Sequence, residues 1–287
     1  MLNRNTSQSL FKILCNIGDK ALGAPKGTTL SMLLIESLSM GRYLPVRDFE
    51  RVGATPHVYN EKTETFYRTT MTYIPGLLRW HLSYERIFLR RQMIEVLENI
   101  YGRKNRDNVH VLFLGDGIGI DSLMFARLGY RVTYFDLEGY SRSFAKLLFR
   151  YFNAQVRIVT NARDIEINGY NCVVNCDVLE HVPDPKALIS KIAQYLKPNG
   201  LALVTEAFGW LEPYAVSHLL SNVAYVGKLP KLFAECNMYP VQRKSSSRLH
   251  VYSKAIGQEL KRQRKLLGYS SLSAWHCLLY TSRAHET

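Results

Sequence analysis

Long apolar runs are missing from this 287-residue chain. None approaches the roughly 18 to 20 residues that cross a bilayer, and the N-terminal "SLFKILCNIGDKALG" is interrupted by Lys12 and Asp19 before any small-residue cleavage site. A cytoplasmic protein is therefore expected. Cysteine is scarce, five in all, and Cys15, Cys172, Cys176 and Cys236 have no paired metal-ligand spacing. Cys172 and Cys176 fall in what reads as a buried strand, so inert core thiols are expected. No carboxylate cluster suggests an octahedral oxygen site, and no bound metal is expected. Internal repeats and low-complexity tracts are absent as well. Acidic residues are in deficit, 24 against 37 Lys and Arg, for a net charge of +13. The excess lies in the flanks, before residue 111 and after residue 200. Such flanks suit nucleic acid, anionic lipid, an acidic small substrate or plain solvated surface.

A chain of this length buries a full core, and one domain with an elaborated flank is expected. Residues 1–79 form that flank, a mainly helical extension with apolar-periodic segments around Leu10–Ile17 and Leu30–Leu38. An aromatic stretch, "HVYNEKTETFYRTTMTYIPG", follows, punctuated by Pro75 and Gly76. The period of Trp80, Tyr84, Ile87, Phe88, Ile94, Leu97 and Ile100 predicts one long amphipathic helix over Leu77–Ile100, closed by Gly102. After Asn108 strands and helices alternate. Strands are predicted at Val109–Leu114, Val132–Phe135, Val156–Val159, Cys172–Cys176 and Leu201–Thr205, and helices at Asp121–Leu128, Arg142–Phe152 and Lys186–Leu196. This is the pattern of an α/β fold with a parallel sheet covered on both faces. A helix near Leu219–Cys236 and two short runs, "MYPVQRK" and "RLHVYSK", which read as an antiparallel edge hairpin, complete it. A basic tail is assigned to residues 256–276. Residues 277–287, "CLLYTSRAHET", resemble the translation of a sequencing-library adapter and are read as a non-native scar.

The stretch "VLFLGDGIGIDSLMFARLGYRVTYFDLEG" carries the chemistry. Gly115, Gly117 and Gly119 fall just past the first strand, where missing side chains let backbone turn tightly and approach a ligand. Asp136 ends the second strand, and an ionised carboxylate there can accept both hydroxyls of a ribose. A dinucleotide fingerprint would need a third glycine at position 122, which is Ser122.

The alternating G-x-G-x-G form resembles the first motif of class I S-adenosylmethionine-dependent methyltransferases. "NCDVLEHVPDPKALISKIAQYLKPNGLALVTE", residues 175–206, resembles the fourth- and fifth-strand region of that family, in particular the small-molecule enzymes of the ubiquinone-biosynthesis type. Asn199 stands where relatives carry glycine, and Asn tolerates left-handed turns. The resemblance implies a Rossmann-like, doubly wound, mostly parallel seven-stranded sheet over residues 80–255, with S-adenosylmethionine as cofactor and methyl transfer to a small-molecule acceptor, at oxygen. By position, Gly115, Gly117 and Gly119 would line the methionine moiety, Asp136 would hold the ribose, Leu137 would flank the adenine, and either Asn161 or Asp164 would read its amino group. Asp177 would face the methionine or sulfonium. Many relatives carry an acidic residue where this chain has Phe113, and Asp116 is the residue that could meet the cofactor's ammonium instead.

A hydroxyl acceptor gains from a general base near neutral pH, and histidine suits that task. His181, in the Glu-His pair of the motif, and His218, beyond strand five, are the candidates; Glu206 could orient the acceptor or pair with a basic residue. Trp210 and Tyr214 are candidate pocket walls, and Tyr59, Phe66, Tyr67 and Arg68 candidate lid residues. RNA methylation is the rival activity, suggested by "KRQRK" at residues 261–265. Against it stand Asn175-Cys176-Asp177 in place of an N-P-P-Y motif and the lack of a recognised RNA-binding module. A non-catalytic nucleoside-binding domain is the rival class, suggested by Phe113. A peripheral membrane contact is the remaining partner considered, through Leu10, Ile13, Leu14 and Ile17 on one helical face beside Lys12. The oligomeric state is not legible.

Overall fold

The computed structural model describes residues 4–39, 43–242 and 248–268. The adapter-like residues 277–287 and the end of the basic tail lie outside them. Among the described residues six α-helices precede the sheet: α1 (Arg4–Leu22), α2 (Thr28–Leu38), α3 (Leu44–Arg51), α4 (Glu61–Thr69), α5 (Tyr73–His81) and α6 (Tyr84–Tyr101). The turn between α1 and α2 is organised by Asp19, whose carboxylate accepts from Gly27 N and Thr29 N, both at 2.7 Å. The apolar face of α1 does not look outward. Leu14 and Ile17 are each 4% exposed, and with Leu22, Leu33, Ile74 and Leu78 they form one core with Phe144, Leu148 and Phe149. The face considered for lipid contact covers the core instead, because the cost of leaving it in water is recovered against a neighbouring helix.

The single helix expected over Leu77–Ile100 is two helices, α5 and α6. Ser83 adopts an extended backbone and its hydroxyl accepts from Arg86 N at 3.1 Å, capping a new helix. Pro75 and Gly76 lie inside the first turn of α5, where proline's missing N–H leaves no bond unmade. Helix α3 turns Phe49 into the interior. Helix α4 is started by a capping box in which Asn60 accepts from Thr63 N and Thr63 Oγ1 accepts from Asn60 N.

The sheet strands are β1 (His110–Leu114), β2 (Arg131–Phe135), β3 (Val156–Val159), β4 (Tyr170–Cys176), β5 (Leu196–Thr205), β6 (Tyr239–Pro240) and β7 (His250–Ser253). Their spatial order is β3-β2-β1-β4-β5-β7-β6, parallel through β5, with β7 antiparallel to both β5 and β6. The predicted parallel sheet and edge hairpin are both present. Every residue of β1 is buried, as a central strand covered on both faces requires. Helices α7 (Ile120–Arg127), α8 (Tyr140–Tyr151) and α9 (Pro185–Tyr195) connect the parallel strands. Asn199 takes φ +66°, the left-handed turn its place in the motif demands.

The helix expected over Leu219–Cys236 is divided into a 3-10 turn, Leu220–Tyr225, and α10 (Leu229–Glu235). Gly227 at φ +72° interrupts them. The "KRQRK" run lies in α11 (Gly257–Leu266), where Arg262 pairs with Glu259 and Gln263 donates to Asn199 O. Leu260 and Leu267 pack on the core beneath α6. The strand order reverses between β1 and β4, so a crevice opens at their carboxyl ends.

Candidate functional site

The glycine loop fills one side of that crevice. Gly115, Gly117 and Gly119 have φ of +86°, +58° and +77°. A Cβ on them would come 2.5 Å from Val178, 2.9 Å from Leu77 and 2.7 Å from Phe149. The loop thus needs glycine twice over, for backbone conformation and because α5, α8 and the turn after β4 press against it. Gly117 N donates to Asp136 Oδ2 at 2.6 Å and Leu137 N to Oδ1 at 2.7 Å. Burial pushes the Asp136 carboxyl up to about 6, opposed by these two amides and by Arg142. Each carboxylate oxygen keeps a further lone pair for a ligand hydroxyl. Leu137 is exposed beside it. Asn161 accepts from Arg163 N in an exposed turn after β3, and Asp164 closes the same turn, also exposed.

Phe113 is a core residue, stacked edge-on against Phe125 at 5.0 Å. The acid of this crevice comes from Asp116 instead. Its Oδ2 accepts from Ser122 N and Oγ, at 2.8 and 2.6 Å, while its buried Oδ1 has no partner. Burial and the neighbouring Asp121 push the Asp116 carboxyl up to about 8. Asp121 itself is fully buried; burial would raise it, but Arg86, His81 and Arg90 hold it well below the usual carboxylate range. Arg86 and Arg90 both bond its carboxylate, and Arg90 also donates to His81 O at 2.7 Å.

Sequence reasoning missed this cluster. The signal was present, since Arg86 and Arg90 fall on the same helical stripe as Leu89, Met93 and Leu97, and charge on an apolar stripe is seldom idle. Arg86 Nη1 lies 3.6 Å from Asp177 Oδ2, and neither Nη1 nor Nε has a hydrogen bond.

Asp177, at φ +56° past β4, accepts from Thr205 Oγ1 at 2.9 Å and from Arg248 Nη2 at 2.7 Å. Arg248 also reaches Glu85 at 3.3 Å and lies over the ring of Trp80. Across from it, His181 Nδ1 is 3.1 Å from Ser217 O. A carbonyl partner requires the proton on Nδ1, which leaves the Nε2 lone pair available. The rings of His181 and His218 stand perpendicular with centroids 4.6 Å apart. Burial holds His181 below its ordinary pKa, opposed by the Ser217 carbonyl and Asp177. Burial and His181 together push His218 down to about 3, and its Nδ1 has no partner.

These histidines are fixed by a clamp. Asn222 Nδ2 donates to the carbonyls of Leu179, Glu180 and Val182. His57, from the extension, contacts His218 O through Nδ1 at 2.8 Å and Val216 O through its backbone N at 2.9 Å. Glu206 accepts from Phe208 N at 2.8 Å, and among the described residues no basic side chain pairs with it. Trp210 stands 5.3 Å from His218 and 5.9 Å from Tyr214. Of the candidate lid residues, Tyr67 reaches the site; Phe66 is buried against Phe49, and Tyr59 and Arg68 turn to Glu64.

Among the described residues two groups have the composition of metal sites. Each is completed by a residue more than thirty positions away, His81 in one and His218 in the other, so spacing in the sequence did not reveal them. His81, Asp116 and Asp121 converge within 4.8 Å, but two guanidiniums already occupy Asp121 and oppose a cation. Glu180, His181 and His218 also converge within 4.8 Å; there burial and the Asp177 charge raise Glu180 well above the usual range.

The crevice therefore holds a glycine cradle, a carboxylate with spare lone pairs at the end of β2, and the unpartnered polar atoms of Asp116 and Arg86. Such a set fits a nucleoside bearing a charged amino-acid end. A methyltransferase-domain family model matches residues 84–264. The chain is 35% identical over 108 residues to a ubiquinone biosynthesis O-methyltransferase of Xanthomonas axonopodis pv. citri, covering 36% of this chain and 45% of that protein. It is 32% identical over 141 residues to the protein of that name in Idiomarina loihiensis, covering 47% and 54%. The chain thus spans about half the length of the curated relatives it matches. Among solved structures, the 1,6-didemethyltoxoflavin-N1-methyltransferase of Burkholderia thailandensis is similar at 17% identity and a TM-score of 0.41, over 63% of this chain and 88% of that one.

Proposed function

The chain belongs to the methyltransferase-domain family, and from that premise we propose that it moves a methyl group from S-adenosylmethionine to a small-molecule acceptor, at oxygen. The observation that carries this reading is the meeting of the glycine loop, Asp136 and His181 at the carboxyl ends of the strands. In this reading Gly115, Gly117 and Gly119 line the methionine moiety and Asp136 accepts the ribose hydroxyls. Leu137 flanks the adenine, with Asn161 or Asp164 toward its amino group. Asp116 and Asp177, with Arg86 between them, face the charged end of the cofactor.

The bound cofactor supplies an electrophilic methyl carbon, so the protein's work is to orient the acceptor and exclude water. Orientation alone can be worth an effective molarity of about 10⁵ to 10⁸ M. A hydroxyl must also lose its proton, whereas a neutral amine attacks without doing so first. His181 fits the role of base better than His218. Its tautomer is set by Ser217 and it stays neutral at pH 7, whereas His218 near 3 is too weak an acceptor. Glu206, tied to Phe208 N, supports the rim of the acceptor site.

Calorimetric titration of S-adenosylmethionine into wild type and Asp136→Ala tests the cofactor site. The expected result is binding that weakens at least tenfold in the variant, about 1.4 kcal/mol. A folded wild type that binds no cofactor overturns the proposal.

A further inference from the structure

The N-terminal extension does more than cover the core: it inserts one polar group beside His181. The Tyr67 hydroxyl is buried and meets no partner in full hydrogen-bond geometry. It lies close enough to interact with the hydroxyls of Ser217 and Tyr73, which bond each other at 3.3 Å. The Tyr67 ring stacks on Tyr73 at 5.7 Å and meets His181 edge-on at 6.3 Å. Its backbone is held against the loop after β2, where Tyr67 O would lie 2.8 Å from a Cβ on Gly139. Tyr73 in turn feels the charge of Asp136. Tyr67 thus meets the histidine assigned to the acceptor on one side and, on the other, the tyrosine that feels the carboxylate assigned to the ribose. Two other buried tyrosine hydroxyls without partners, those of Tyr130 and Tyr170, sit at the amino ends of β2 and β4, away from the crevice.

We propose that Tyr67 is a catalytic residue, donating its hydroxyl proton in a hydrogen bond to the acceptor oxygen while Nε2 of His181 removes that oxygen's own proton. The inference rests on the methyl-transfer reading above. The acceptor O–H bond breaks toward His181, the oxygen–carbon bond forms, and the carbon–sulfur pair stays on sulfur. Tyr67 keeps its proton throughout, since burial raises it well above its ordinary pKa. A fixed donor aimed where negative charge grows is worth more in a water-poor site than in solvent.

The test uses the full chain saturated with S-adenosylhomocysteine, with 4-fluorophenol and 4-fluorotoluene, which keeps the ring but lacks the oxygen, as fluorine NMR probes. Wild type is expected to prefer the phenol. Tyr67→Phe is expected to weaken the phenol at least tenfold while leaving the toluene, S-adenosylhomocysteine affinity and the melting temperature unchanged. A loss of packing would weaken both probes together, so the phenol-to-toluene ratio isolates the hydroxyl. An unchanged ratio in the variant, or a wild type without preference, overturns the role of Tyr67. A folded wild type that fails to bind S-adenosylhomocysteine overturns the methyl-transfer reading, and this inference with it.

Discussion

Asp136 is where residue chemistry and function meet. Its folded pKa, about 6, is raised above the ordinary 3.8 chiefly by burial. A raised carboxyl contributes stability that is present below the unfolded pKa and lost as pH rises through the folded one. At pH 7 its ionised form is therefore a cost in the ligand-free protein, and a ligand that donates two hydroxyls to it offsets that cost. S-adenosylhomocysteine affinity is expected to fall as pH is lowered from 7.5 to 5, with proton release on binding near pH 6. Calorimetry in two buffers of different ionisation heat reads both; an affinity flat across that range would remove Asp136 from the ligand's contacts. Residues of this kind were legible in advance because a short motif carries them. Asp116 was legible only as a substitute for a missing acid, since nothing local foretells that Ser122 takes one of its oxygens.

At the scale of elements, the decisive object is the pair α5 and α6 with the ions buried between them and α7. Periodicity alone reads them as one helix, because both halves keep the same apolar period across Leu82 and Ser83. The break lets Arg86 and Arg90 reach Asp121, an arrangement in which one carboxylate pairs with two guanidiniums. Removing that carboxylate leaves buried charge without a partner. Asp121→Ala is expected to cost about 3–5 kcal/mol of stability, measured by urea denaturation. A loss under 1 kcal/mol would mean that the cluster is hydrated and contributes little. Because Arg86 also approaches Asp177, the same element ties the glycine loop to the end of β4.

At the scale of the molecule, the extension and the sheet share one core. Helix α1 packs along α8, and the cluster containing Leu14 and Ile17 runs to Tyr134 in β2. Leu14→Ala is expected to lower stability by about 2–5 kcal/mol, read from the urea midpoint, and to leave vesicle co-sedimentation unchanged. An unaltered midpoint with reduced vesicle binding would restore the membrane role for this face. The extension also carries His57 against His218 and Tyr67 against His181, so the architecture that stabilises the sheet also packs on the histidine pair.

By itself, the sequence determined the alternation of strands and helices, the glycine loop, Asp136 and the Glu180-His181 turn. Each is a local matter of backbone freedom, apolar period or neighbouring residues. Tertiary structure alone decided that the face of α1 is buried, that His181 and His218 stand 4.6 Å apart, and that Tyr67 joins them. Those contacts link residues more than thirty positions apart, and only the folding of the chain onto the sheet's carboxyl edge makes them neighbours. The physical reason is that apolar burial selects which surfaces meet without regard to sequence separation, and the polar groups carried on those surfaces are brought together with them.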